Sequence, residues 1–511
     1  MKAATMRRFL SLHTWVGLIA GMALFIAFYA GAITVFSHEI GDWNRSATTT
    51  ATADHPIARS QQLLDTLLEK HPQAAESVYL VLPGHHGPKP SAYWFEASTG
   101  QSRRFMFDQQ HTLEEDAFGQ DFIEFIYDLH FTAGLPKPYS TYLFGIICLL
   151  YGLALVSGVV IYAPTLVKNL FALRLGRNIK RLWQDAHNAI GMLSLPFHII
   201  FAWSGAVLAL GLMLLVPFQY LVYEGKLSSL LEKDFYGAPQ IAAAGVAEPT
   251  LSVAELLRRG QAAMPGMDIE GLSYVNIDDA NARVTLYGVM QQRQLNQMAS
   301  VTLEGATGEV ATTVAPQTMT PGMIILRGLQ TLHFGNFGDV AVQWLYFLLS
   351  LAGAFLFYSG NLLWIESRRK RRQIAQPRRT RVMAALTLGV CLGCVAGVSA
   401  VFLAGALAPG MGKPVYFTVF LASIVWACVR KPARAGHELL WLCALATAAI
   451  PLAGWIGSGE HFIAAAMHGH WHRFFVDVVA LALALVYWRM ARATLRRGRH
   501  GDPHSVWALP S

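Results

Sequence analysis

Eight stretches of this chain are apolar over about the length needed to cross a bilayer, for which roughly 20 residues suffice. They run roughly over 11–37, 139–163, 188–222, 340–365, 382–407, 414–429, 437–457 and 473–490. With 54% hydrophobic and only 14% charged residues, the chain is too apolar for an ordinary soluble enzyme. The expected fold is a polytopic α-helical membrane protein. Residues 1–37 start with basic residues, as a signal peptide does, but the apolar run is too long for one and its pattern recurs later. It reads as a membrane helix.

Charge fixes the expected orientation. Lys and Arg gather at span ends, in "MRR" (6–8), "RLGRNIKR" (174–181), "ESRRKRRQIAQPRRTR" (366–381), "RKPARAGH" (430–437) and "RMARATLRRGR" (489–499). With Met1 in the cytoplasm and eight crossings, all five clusters fall on the cytoplasmic side, as the positive-inside rule requires. Both termini are then cytoplasmic. The polar stretches near 40–128 and 224–330 lie outside and are acidic, with 14 Asp/Glu against 6 Lys/Arg over 38–130 and 11 against 7 over 224–332. The net charge of +8 therefore reflects topology, and no nucleic-acid partner is expected. All five cysteines fall in apolar spans, so no disulfide framework is implied. The Cys391–Cys394 CxxC reads as packing.

The chain reads as a duplication. "HTWVGLIAGMALFIAFYAGAITVF" (13–36) aligns with "HNAIGMLSLPFHIIFAWSGAVLAL" (187–210) at a constant offset of 174. His13 falls on His187, Gly17 on Gly191, and Gly31 on Gly205. "LHFTAGLP" (129–136) and "LHFGNFGD" (332–339) place His130 over His333. Each half gives a His-bearing helix, an outside domain, LHF and a second helix, which makes a parallel repeat. The expected organisation is a first span over 1–39, an outside α+β domain over 40–128 and a second span over 129–165. A loop and third span over 166–223, a second outside α+β domain over 224–330 and a fourth span over 331–366 follow. Four further spans fill 367–511.

Depth sorts the histidines into two pairs, His13 with His187 near the cytoplasmic face and His130 with His333 near the outer face. Gly17 and Gly191 lie one turn after their histidines. Gly31 and Gly205 lie five turns on, about 27 Å along the axis. The Ser-Gly pairs at 157–158 and 359–360 fall near the inner face. Histidines on one helix pair thus face small residues on the other, as two flat discs stacked across a bilayer require. Haem is such a disc, and two imidazoles fill its axial positions. Small residues also pack membrane helices without any cofactor, but four histidines in two repeat-related pairs favour ligation. His198 and His38 are weaker candidates, since the same offset places Leu24 and Leu212 opposite them. "HGHWH" (468–472) has the look of a metal tract, and His85-His86 of a surface turn. Trp43, Tyr127, Phe131, Phe334 and Trp344 are candidates to line an outer acceptor site, or to form an interfacial belt.

These motifs, with "DAHNAIGMLSLPF" and "SGNLLW", resemble the PepSY-associated transmembrane family, often called iron-regulated membrane proteins. Within it the chain is similar to the FoxB/PiuB-type inner-membrane siderophore reductases. The resemblance covers about 1–370. It implies PepSY-like periplasmic domains, two b-type haems on His13, His187, His130 and His333, and electron delivery from a cytoplasmic-side or quinol donor to a ferric siderophore, releasing Fe(II). A transporter or permease for iron-siderophore and a non-catalytic PepSY sensor or assembly factor are the alternatives. The first should show charged groups at mid-membrane, and the second leaves the paired histidines unexplained.

Overall fold

The computed structural model describes residues 3–43, 56–84, 89–96, 101–107, 112–115, 120–170, 174, 179–227, 241–290, 295–369, 373 and 375–509. The helices longer than five residues are, in chain order, α1 Ala3–Thr34, α2 Ser37–Trp43, α3 Pro56–Lys70, α4 Gln120–Thr132, α5 Tyr139–Tyr162, α6 Ile179–Leu193, α7 Leu195–Leu221, α8 Val253–Ala263, α9 Pro321–Phe334, α10 Val340–Ser367, α11 Arg378–Leu407, α12 Gly412–Val429, α13 Pro432–Ala448, α14 Ile450–Ser458, α15 Phe462–Met467 and α16 Trp471–His500. Among the described residues, eight helical stretches are long and apolar enough to cross a membrane: α1, α5 with the turn that follows it, α7, α10, α11, α12, α13 with α14, and α16. The chain divides into two compact units, a helical unit (1–46, 118–211, 338–511) and a sheet unit (47–117, 212–337).

In the helical unit α1 packs against α4, α5 and α10, and α6 packs against α10. The third apolar run is cut at Ser194, where α6 ends and α7 begins. Pro196 stands just inside α7, has no N–H to donate, and disfavours helical backbone before it. Each LHF ends a helix of its own ahead of the span. After the first copy Ala133 and Gly134 take left-handed backbone (φ 53° and 72°). After the second, Gly335 (φ 69°) closes α9, and the Asp339 carboxylate accepts from Ala341 N at 3.0 Å to start α10. The C-terminal helices gather round α11, which contacts α12, α13 and α14. Gly389, Gly393 and Gly397 recur every fourth residue. A Cβ there would come within 2.7 Å of Ile424 Cα, 2.9 Å of Ser423 Cβ and 2.8 Å of the Tyr416 ring. That stripe lets α11 and α12 approach closely, as small residues do in membranes. Cys391, Cys394 and Cys443 are buried free thiols, and Cys443 donates to Leu392 O at 3.3 Å.

The sheet unit holds β1 Ser77–Val81, β2 Ser91–Glu96, β3 Gln101–Phe107, β4 Leu113–Glu115, β5 Met267–Val275, β6 Arg283–Met290, β7 Met298–Glu304 and β8 Val310–Val314. They form one eight-stranded sheet in the order β4-β3-β2-β1-β5-β6-β7-β8. The two α+β segments expected from the sequence are thus halves of one sheet, joined where β1 pairs antiparallel with β5 and Leu80 faces Leu272. The junction removes two strand edges that would otherwise be open. The halves also share one core, in which Leu63 and Leu67 of α3 and Leu256 of α8 are buried with Leu80, Leu272 and Leu286. Gln61 Oε1 of α3 accepts from Val253 N of α8 at 2.7 Å. Ser252 caps α8 at Glu255 N.

Candidate functional site

Three of the four expected ligand histidines lie in the helical unit, and all three are held by one device. His13 on α1 faces α5, with Nδ1 2.9 Å from Ala154 O, and a Cβ on Gly158 would lie 3.1 Å from its Cε1. His187 on α6 faces α10, with Nδ1 3.1 Å from Leu356 O, and a Cβ on Gly360 would lie 3.1 Å from its Cε1. His130, in the last turn of α4, faces α1. Its Nδ1 lies 2.7 Å from Ala27 O, and a Cβ on Gly31 would come within 2.6 Å of that nitrogen. Each glycine follows its carbonyl by four residues. In a helix the residue four ahead already donates to that carbonyl. With no Cβ there, the oxygen is open to a second donor and the ring can lie against the backbone.

A carbonyl can only accept, so each Nδ1 carries the proton, and in His13 and His187 Nε2 is the basic nitrogen with a lone pair for a metal. Ligating histidines are oriented this way, by a hydrogen bond from the ring nitrogen that does not bind the metal. The Ser157 hydroxyl lies 2.7 Å from Leu153 O and 3.0 Å from Ala154 O, and Ser359 donates to Leu356 O at 2.9 Å. They stand 3.3 and 3.5 Å from Nδ1 of His13 and His187. Nearby, the Arg174 guanidinium is bonded to Asp185 at 2.6 and 2.8 Å, which holds that carboxyl below its usual range and fastens the start of α6.

His13 and His187 oppose each other, with ring centroids 6.2 Å apart and planes at 79°. Two metal–imidazole bonds of about 2 Å, plus about 1 Å from each nitrogen to its ring centre, sum to about 6 Å. The separation and the shared tautomer therefore match what two imidazoles on one iron would need.

The other candidates sit differently. His198 is fully buried and has both ring nitrogens engaged, Nδ1 with Tyr151 Oη at 2.5 Å and Nε2 with Ser194 Oγ at 2.9 Å. Ser194 donates its own proton to Ile190 O, so Nε2–H donates to Ser194 and Tyr151 donates to Nδ1. His198 is placed as a polar bridge between α5 and α7 rather than as a ligand. His38 stands in the first turn of α2, and His333 in the last turn of α9, within the sheet unit. Gly31 lies against the His130 ring. A Cβ on Gly205 would meet Cys148 Sγ at 2.8 Å, and one on Gly191 would meet Leu356 at 3.5 Å, whereas at Gly17 nothing stands within 4 Å. Trp43 does not line an outer acceptor site. It is fully buried and donates to Asp477 at 2.8 Å, because Gly454 leaves room for its ring. His85 and His86 lie outside the described residues.

The sequence matches the PepSY-associated TM region over residues 10–367. The chain belongs to the PepSY-associated TM family. An uncharacterized protein of Pseudomonas aeruginosa is similar to it, 28% identical over 352 residues that make up 64% of this chain and 85% of that one. The family region ends with α10 at Ser367. It contains His13, His130, His187 and His333 with Gly31, Gly158 and Gly360, while α11 to α16 follow it. Sequence reasoning missed the acceptors Ala27, Ala154 and Leu356 and the His198 partners Tyr151 and Ser194. The first three carry a legible signal, a glycine four residues on.

Proposed function

We propose that this membrane protein is a haem-containing oxidoreductase, which passes electrons from a cytoplasmic-side or quinol donor to a ferric siderophore and releases Fe(II). It would lie in a bacterial inner membrane with both termini in the cytoplasm and the sheet unit in the periplasm. The basic clusters at alternate span ends support that orientation. The observation that carries the reading is the opposed pair His13 and His187, each with Nδ1 committed to a main-chain carbonyl. When bound, a bis-histidine haem b supplies a one-electron carrier with no open position. His13 and His187 would present neutral Nε2 to one iron. His130, held against Ala27 O in the same manner, would serve a second.

The chain's own part is to orient and to exclude. Ala154, Leu356 and Ala27 fix the tautomers. Gly158, Gly360 and Gly31 let the rings lie against neighbouring helices. Phe28, buried, packs with its ring centroid 5.8 Å from that of Tyr151, 5.9 Å from His198 and 5.1 Å from Phe357, which keeps water from that part of the helical unit. The test is to reduce purified protein with dithionite, remove the excess, and add a ferric siderophore with a ferrous chelator. The reading predicts reoxidised haem bands together with trapped Fe(II). Bands that stay reduced across several siderophore classes would contradict the substrate assignment.

A further inference from the structure

The loop between α14 and α16 brings together three ligand-type side chains that the haem reading does not use. Glu460 follows Gly459 at the end of α14, His468 ends α15, and His470 precedes α16. His468 Nδ1 lies 2.7 Å from Glu460 Oε1 and His470 Nδ1 lies 2.8 Å from Oε2. The candidate ligand atoms all lie within 4.8 Å of one another. Gly469 sits between the histidines at φ 81°, a conformation that other residues rarely adopt, and this turns both rings towards one carboxylate.

The cluster is anchored from behind. The Arg473 side chain, 5% exposed, reaches Glu460 Oε2 at 3.0 Å and Trp43 O at 3.2 Å. The Glu460 side chain is itself 6% exposed, whereas His468 is 64% exposed. A buried, oriented carboxylate thus stands under two imidazoles, one of them open to solvent. A loop latch alone would need only one histidine on the carboxylate.

We infer that Glu460, His468 and His470 form a binding site for a divalent first-row transition-metal cation. Two imidazoles and one carboxylate are a donor set such ions take, with further positions left for water. Each neutral ring would keep its proton on Nε2 and turn the Nδ1 lone pair to the cation. Glu460 would supply one oxygen while the other stays on Arg473. The class includes the Fe(II) that the proposed reaction releases, but the site stands or falls independently of the haem reading.

The test uses the full-length protein, stripped with a chelator and dialysed against low-micromolar Zn(II), with bound metal counted by elemental analysis. The wild type is expected to hold one Zn(II) per chain more than His468→Ala or His470→Ala, and Glu460→Gln to bind at least about tenfold more weakly. Near-UV circular dichroism of each variant monitors folding. Zinc-edge X-ray absorption of the wild type should show two imidazoles in a nitrogen/oxygen shell, a readout that needs no variant. Equal zinc in wild type and folded variants, or a zinc spectrum without two imidazoles, overturns the assignment.

Discussion

Histidine is used in two ways in two regions of the helical unit. Around α1, α4 and α6, three rings donate Nδ1–H to main-chain carbonyls of a neighbouring helix. Around α2 and α16, side chains answer one another: Trp43 with Asp477, Arg473 with Glu460, and Glu460 with His468 and His470. A carbonyl partner fixes the tautomer and leaves Nε2 basic. A carboxylate partner draws Nδ1 itself into the contact, and a cation can only replace it. His198, bonded through both nitrogens to hydroxyls, is a third case, where no basic nitrogen remains for a metal. Burial alone therefore does not identify a ligand histidine. The second bond is what sets His198 apart.

Breaking that distinction should give the largest effect. His187→Ala is expected to remove one of two haems, so the pyridine haemochrome count falls by about half. His198→Phe should keep both haems and lose stability instead, because Tyr151 and Ser194 lose a buried partner, a cost of about 1–3 kcal/mol. Similar haem loss in both variants would erase the distinction.

The glycine cradles sharpen it next. Gly31→Val puts a side chain where the His130 ring now lies and should displace that histidine, lowering haem content almost as far as His130→Ala. Gly17→Ala meets no protein atom within 4 Å and should leave the haem content unchanged.

How far these arrangements were legible depended on separation along the chain. The eight spans stood out because each is a continuous apolar run, and the Ser-Gly pairs opposite His13 and His187 showed in the sequence repeat. The fused sheet did not, because β1 pairs with β5 across nearly 200 residues, Leu80 with Leu272, and either half could have stood alone. The Trp43–Asp477 bond spans 434 positions, so Trp43 resembled an interfacial aromatic. His198 could be read as a weak ligand or as a hydrogen-bonded core histidine, because its partner Tyr151 has no marker in sequence. Glu460 lies only eight residues before His468, but only the backbone at Gly469 shows that the two histidines converge on it.

Two smaller effects test the sheet unit against the helical one. Leu272→Ala at the β1–β5 junction should cost about 2–5 kcal/mol. Amide exchange should quicken in β1 and β5 while α1 and α10 stay protected. At the surface, hydrogen bonds from Arg258 and Arg259 hold the Glu255 carboxyl down to about 2 from 4.5. A carboxyl lowered in the folded state stabilises fully above its unfolded value, and that stability fades as pH falls from 4.5 towards 2. Glu255→Gln should therefore remove a small stabilisation at pH 7 and flatten the acid-side slope in thermal stability, so that the two proteins converge as pH falls towards 2.

The central claim, that His13 and His187 share one iron as axial ligands, is tested most directly by the visible spectrum of the purified protein before and after dithionite. The account predicts sharp low-spin b-type bands with a haem count near two per chain. A colourless protein from haem-replete cells, or a high-spin spectrum showing an open axial position, would contradict it.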